Sequence, residues 1–136
     1  MATATFILGL CGSGKSWLAE RLHDSTGAEV FDEPIGRETQ PAIVQCLGDG
    51  RDCIIEELFY CVPGYRDAMV ALLEAVPNVV IKFICYENDL DAANANVRRR
   101  TNKGRVEQHL RLNTHVSPLY TLPDGCERRP IFRIGE

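Results

Sequence analysis

Residues 9 to 16 read Gly-Leu-Cys-Gly-Ser-Gly-Lys-Ser, and they constrain the fold more than any other part of the chain. Before them, Thr5-Phe6-Ile7-Leu8 is a β-branched and apolar run suited to a buried strand. After them, Leu18 and Leu22 lie four apart, on one face of a helix. A strand that becomes a helix through Gly-x4-Gly-Lys-Ser makes a phosphate-binding turn, the P-loop pattern. Gly9, Gly12 and Gly14 let the loop curl so that backbone N–H groups converge, and the positive end of the following helix adds to that field. Lys15 is expected to reach the β- and γ-phosphates of a nucleoside triphosphate, and Ser16 to ligate Mg²⁺. Cys11, Ser13 and Trp17 complete the expected cradle.

The length of 136 residues suits one domain, 1–136, with a real core and little room for insertions. A net charge of −4 argues against broad non-specific nucleic-acid binding but leaves room for a local basic site. No stretch reads as a membrane span or a signal peptide, so a cytoplasmic location is expected. The six cysteines, at 11, 46, 53, 61, 85 and 126, form no Cys-x-x-Cys pair, and the three histidines add no metal-site spacing. Reduced thiols are expected, with Cys53 and Cys85 as small core residues. Cys11 lies inside the phosphate loop, where an electropositive setting can lower a thiol pKa.

Along the chain, strands are expected at 3–8, 28–31, 53–55, 78–86 and 131–134. Helices are expected at 15–23, 41–47 (Pro41 first, Gly48 as C-cap), 65–76, 89–101 (capped by Asn88 or Asp89) and 105–113. Strands alternating with helices predict an open, mostly parallel α/β sheet, with ligands at the carboxyl ends of the strands. Three further positions fall at such ends. Asp32 and Glu33 follow the second strand, where a carboxylate can take the proton of an attacking hydroxyl. Glu56 and Glu57 follow the third, where a carboxylate can hold Mg²⁺ or activate water. Residues 98 to 105, Arg-Arg-Arg-Thr-Asn-Lys-Gly-Arg, end the helix after the fourth strand. Arginine there can stabilise charge on a transferring phosphoryl group.

Together these segments resemble the nucleoside and nucleotide kinase superfamily of P-loop proteins, across residues 5 to about 107. The segment 31–36, Phe-Asp-Glu-Pro-Ile-Gly, is similar to the Glu-Pro signature of deoxynucleoside and thymidylate kinases, which implies Glu33 as the catalytic or metal-organising carboxylate. Shikimate- and polynucleotide-kinase-like relatives carry an aspartate, which implies Asp32. Residues 53–60 resemble the strand that ends in Asp/Glu-Arg. Glu56 fits the acidic position, and Glu57 stands where the family usually has an arginine. Residues 84–105 resemble the strand and helix leading to an arginine lid at 98–105, implying Arg98 and Arg100, then Arg105, as lid arginines. The resemblance implies a three-layer P-loop NTPase fold with five strands in the order 2-3-1-4-5, ATP and Mg²⁺ as cofactors, an acceptor region at 36–50, and phosphoryl transfer to a nucleoside, nucleotide or other small acceptor.

Other readings stay open. The basic segment could hold a 5′-hydroxyl polynucleotide. Glu57 could activate water in an NTPase, or mark a module that binds nucleotide without turnover. Asn102-Lys103-Gly104-Arg105 looks like a guanine-reading element but has arginine for its aspartate. Phe59, Tyr60 and Tyr65 are candidate stacking partners for an acceptor. His23, His109 and His115 carry no readable signal, and neither does oligomeric state.

Overall fold

The computed structural model describes residues 1–32, 39–100 and 103–134. Strands β1 (Ala2–Leu8), β2 (Glu29–Asp32), β3 (Cys53–Glu56), β4 (Val79–Tyr86) and β5 (Glu127–Arg129) form one sheet in the order β2-β3-β1-β4-β5. Every pairing is parallel. Helices α1 (Lys15–Thr26), α2 (Thr39–Gly48), α3 (Pro63–Glu74), α4 (Leu90–Arg98) and α5 (Val106–Val116) connect the strands. The α/β class and the order 2-3-1-4-5 expected from the resemblance are both observed.

The alternation of β1 explains the layering. Its side chains point to opposite faces. Ile7, with Ile54 of β3, packs on Leu18 and Ala19 of α1. Phe6 and Leu8, with Ile55, face the other way, onto Ile43 of α2, Met69 and Leu73 of α3 and Val116 of α5. Phe6 is fully buried and meets Tyr60 edge-on at 5.7 Å and Phe83 at 5.2 Å between ring centroids. With both faces covered, β1 fixes where the following loop emerges: at the centre of the carboxyl edge.

Local signals set most boundaries. Gly27 ends α1 in the left-handed conformation (φ 75°), its N–H bonded to the His23 carbonyl. Pro63 opens α3, where its missing N–H costs nothing. Asp89, rather than Asn88, caps α4 by accepting from Ala92 N–H at 3.0 Å. Asn88 instead exchanges hydrogen bonds of 2.8 Å with Ser117, tying the end of β4 to the end of α5.

Several expectations are corrected. Pro41 is the third residue of α2 and Gly48 its last helical residue. The fourth helix stops at Arg98 and the fifth runs on to Val116. The last strand is Glu127–Arg129, not 131–134. Pro130 has no N–H with which to continue the ladder, and residues 132–134 turn away onto α4, held there by Asn96. Among the described residues, no helix is long and apolar enough to cross a membrane.

Candidate active site

The loop between β1 and α1 forms the floor of a cavity of about 1500 Å³ at the carboxyl edge of the sheet. Its shape follows from the glycines. Gly12 has φ 87° and Gly14 φ 111°. A Cβ on Gly12 would lie 2.3 Å from the Ala93 carbonyl oxygen of α4, so the loop passes α4 with no room for a side chain. Helix α1 starts at Lys15, and its first bond runs from Leu18 N–H to the Gly14 carbonyl at 3.0 Å. Lys15, Ser16 and Trp17 therefore present the open N–H donors of a helix N-terminus, the geometry that receives phosphate. The Ser13 hydroxyl is buried with no hydrogen-bond partner among the described residues. A phosphate oxygen in the cradle would supply one. Gly12→Ala should cost about 2 kcal/mol or more from the left-handed backbone and the clash with α4. A lowered Tm and at least a tenfold weaker nucleotide affinity are the expected readouts.

Lys15 is buried, and its ammonium donates to the carbonyls of Gly9 (2.8 Å) and Leu10 (3.0 Å). An ammonium has three protons, so one is left to point at a ligand. The Ser16 hydroxyl donates to Glu56 Oε1 at 2.7 Å. Glu56 ends β3 and is buried; Asp32 ends β2, is exposed, and stands beside Glu56 in the parallel register. The hydroxyl and two carboxylates thus lie in a row across the strand ends, all on the cavity wall. A hydroxyl and a carboxylate in hydrogen-bond contact form an oxygen donor set suited to Mg²⁺. The residues present fit both a nucleoside triphosphate and its metal.

The expected arginines divide. Arg100 and Arg105 line the cavity; Arg98 does not, and is exposed at the last turn of α4. Arg100 donates to His109 Nδ1 at 2.5 Å. A guanidinium only donates, so His109 Nδ1 is the acceptor in this contact. Arg105 donates to Gln108 at 3.2 Å. Burial raises the Cys11 pKa, and the nearby charges of Lys15, Arg100 and Arg105 oppose this without prevailing. The lowering that an electropositive loop can give is outweighed here by desolvation. Those same charges show that the lysine and both arginines converge on the loop. Cys53 and Cys85 are buried core thiols, and burial raises the pKa of Cys53 to about 12.

Glu57 also lines the cavity, and its carboxylate caps the short 3₁₀ turn Leu58–Cys61 by accepting from Phe59 N–H at 3.3 Å. Phe59 and Tyr65 face the cavity with ring centroids 5.7 Å apart. Tyr60 does not: it is buried in the core, where desolvation and the Glu57 charge lift its phenol to about 12. The Trp17 side chain is exposed beneath the Arg21 guanidinium, 4.8 Å from the ring centroid. Glu33, residues 36–38 of the expected acceptor region, and Thr101 and Asn102 of the expected lid lie outside the described residues.

Two asparagines that the sequence reading passed over hold the loop in place. Asn96 of α4 donates to the carbonyls of Gly12 (2.9 Å) and Phe132 (2.8 Å) and accepts from Ile134 N–H (2.7 Å). Asn113 of α5 is fully buried. It accepts from Cys11 N–H at 2.7 Å, and donates to Cys11 O at 2.8 Å and Asn94 Oδ1 at 3.0 Å. Arg129, Phe132 and His109 were likewise missed as cavity residues. The available signal was helical spacing: 109, 112 and 113 fall on one face of α5, with Arg105 at its N-cap. His23, by contrast, bonds the Ala28 carbonyl at the far end of α1.

No protein-family model matches the chain, and no curated protein matches its sequence. Solved structures do. A gluconokinase from Sinorhizobium meliloti is 15% identical, with a TM-score of 0.62 over 96% of this chain and 83% of that one. A sugar kinase from a Janibacter species is 16% identical, with a TM-score of 0.59 over 96% and 84%. The chain has the P-loop kinase fold.

Proposed function

We propose that the chain is an ATP-dependent kinase that transfers the γ-phosphate of Mg-ATP to a small acceptor. The observation that carries this is the row Ser16–Glu56–Asp32. A P-loop hydroxyl is bonded to one carboxylate at 2.7 Å, and a second carboxylate stands one strand further out. A bare nucleotide-binding module has no use for the second. The named kinases among the structural neighbours, and the sugar or sugar acid in their names, support a small-molecule acceptor.

Mg-ATP, when bound, supplies the phosphoryl group and a divalent charge that offsets its oxygens. The open N–H groups of residues 15–17, the Lys15 ammonium and the backbone near Cys11 and Ser13 hold the phosphates. Ser16 and Glu56 hold the metal. Asp32 accepts the acceptor's proton, with Glu33 next to it in sequence as the alternative base. Arg100 and Arg105 stabilise charge that develops on transfer, with 98–105 as the lid. Arg98, off the cavity wall, has the weakest claim to that role.

The test is ADP release from Mg-ATP with and without small acceptors, using Lys15→Ala as control. Acceptor-dependent release that falls by about 10² or more in the variant is expected, the scale for loss of one preorganised donor. Release independent of any acceptor would assign an NTPase instead.

A further inference from the structure

The segment after β5 meets the phosphate loop through one side chain. Asn96 is buried on α4, and both ends of its amide are engaged. It donates to the Gly12 carbonyl at 2.9 Å and to the Phe132 carbonyl at 2.8 Å, and its Oδ1 accepts from Ile134 N–H at 2.7 Å. The Arg99 guanidinium donates to the Ile134 carbonyl. Phe132 is 80% exposed and Ile134 53%, so hydrogen bonds, and little apolar burial, hold these two residues on α4. Both also line the cavity whose floor the loop forms.

A side-chain amide is planar, so its three bonds share one orientation. The two made to the segment set that plane, and the plane aims the remaining N–H at Gly12. The Gly12 carbonyl belongs to the same peptide as the Ser13 N–H, which donates to the Leu10 carbonyl at 3.1 Å. The Gly12–Ser13 peptide is thus held at both ends. Beyond it stands the Ser13 hydroxyl, buried and with no hydrogen-bond partner among the described residues. With the segment undocked, Asn96 would lose two of its three bonds and regain rotamers, and Gly12 would lose a fixed donor. We infer that Asn96 is a positioning residue that couples docking of segment 132–134 to nucleotide binding in the phosphate loop. Each event favours the other, by the same factor in both directions. This rests on the nucleotide-binding part of the reading above and adds a regulatory contact to it: whatever draws the segment off α4 weakens nucleotide binding.

Two measurements on the full chain test it, with Mg-ADP as the probe. Amide exchange at Ile134, whose N–H Asn96 accepts, should slow about tenfold when Mg-ADP saturates the loop, within the usual range of coupling between sites. Ile134→Pro deletes that N–H at an exposed position and should weaken calorimetric Mg-ADP binding by the same factor of about ten. Ile134→Ala shortens the side chain on the cavity wall but keeps the N–H, and should bind Mg-ADP as the parent does. In an Asn96→Ala background the link is already cut, so Ile134→Pro should add no further loss. Should Asn96→Ala fail to fold, the Ile134 pair and the exchange measurement decide alone. Additive losses, equal losses in Ile134→Ala and Ile134→Pro, or exchange at Ile134 that ignores bound Mg-ADP would each overturn the coupling and leave the kinase reading standing. Failure of the parent chain to bind Mg-ADP would overturn that reading itself, and the coupling with it.

Discussion

Asp32→Asn should lower kcat by about 10²–10⁴-fold, the range for loss of a positioned general base, with little change in the KM for ATP. Asparagine keeps the shape of the side chain and removes its ability to take a proton. The strand end should be undisturbed, because Asp32 is held by backbone pairing in register with Glu56. Ser16 and Glu56, which hold the metal in the proposed site, are untouched. A kcat within about threefold of the parent would remove Asp32 as the base and transfer that role to Glu33. Glu56→Gln is the useful contrast: it should weaken Mg²⁺ dependence first, since it alters the donor set and not the proton acceptor.

Asn113→Asp should destabilise the protein by about 3 kcal/mol, the scale for lost buried hydrogen bonds and an unpaired buried charge. At this chain length that is a Tm lower by roughly 10 °C. The change is a single N–H₂ for O, yet it removes both bonds that Asn113 donates. It also sets a carboxylate against Cys11 O and Asn94 Oδ1, at a position with no exposure. Only the bond accepted from Cys11 N–H survives. Burial would raise the pKa of the new carboxyl above its unfolded value. The deficit should therefore grow as pH rises through the ordinary carboxylate range and shrink toward acid. Nucleotide affinity should fall with stability, because the same side chain fixes the Cys11 peptide. A Tm within about 2 °C of the parent at neutral pH would show that the loop does not depend on this clamp.

The two variants separate what was readable early from what was not. Asp32 and Glu56 were legible because a carboxylate that follows an apolar run is a local signal, and parallel α/β sheets place strand ends at the site. The glycines, Lys15 and Ser16 were legible for a stronger reason: their chemistry is contiguous, eight residues that build a cradle from their own backbone. Cys11 shows the limit of such reading. Its positive neighbours were visible in sequence, but its pKa turns on how much solvent the fold removes.

The sequence by itself determined the class of sheet, the position of the phosphate loop and the carboxylates beside it. Each of these follows from hydrophobic periodicity and short-range turn chemistry. Only the tertiary structure decided which basic residues reach the cavity, that Tyr60 is core while Phe59 and Tyr65 are wall, and that the chain beyond β5 folds back onto α4. It alone joined Asn96 to Gly12, 84 positions away, and Asn113 to Cys11, 102 positions away. An asparagine carries no periodic or charge signal. Its role comes into being when two distant backbones are packed together and their polar groups, cut off from water, need partners.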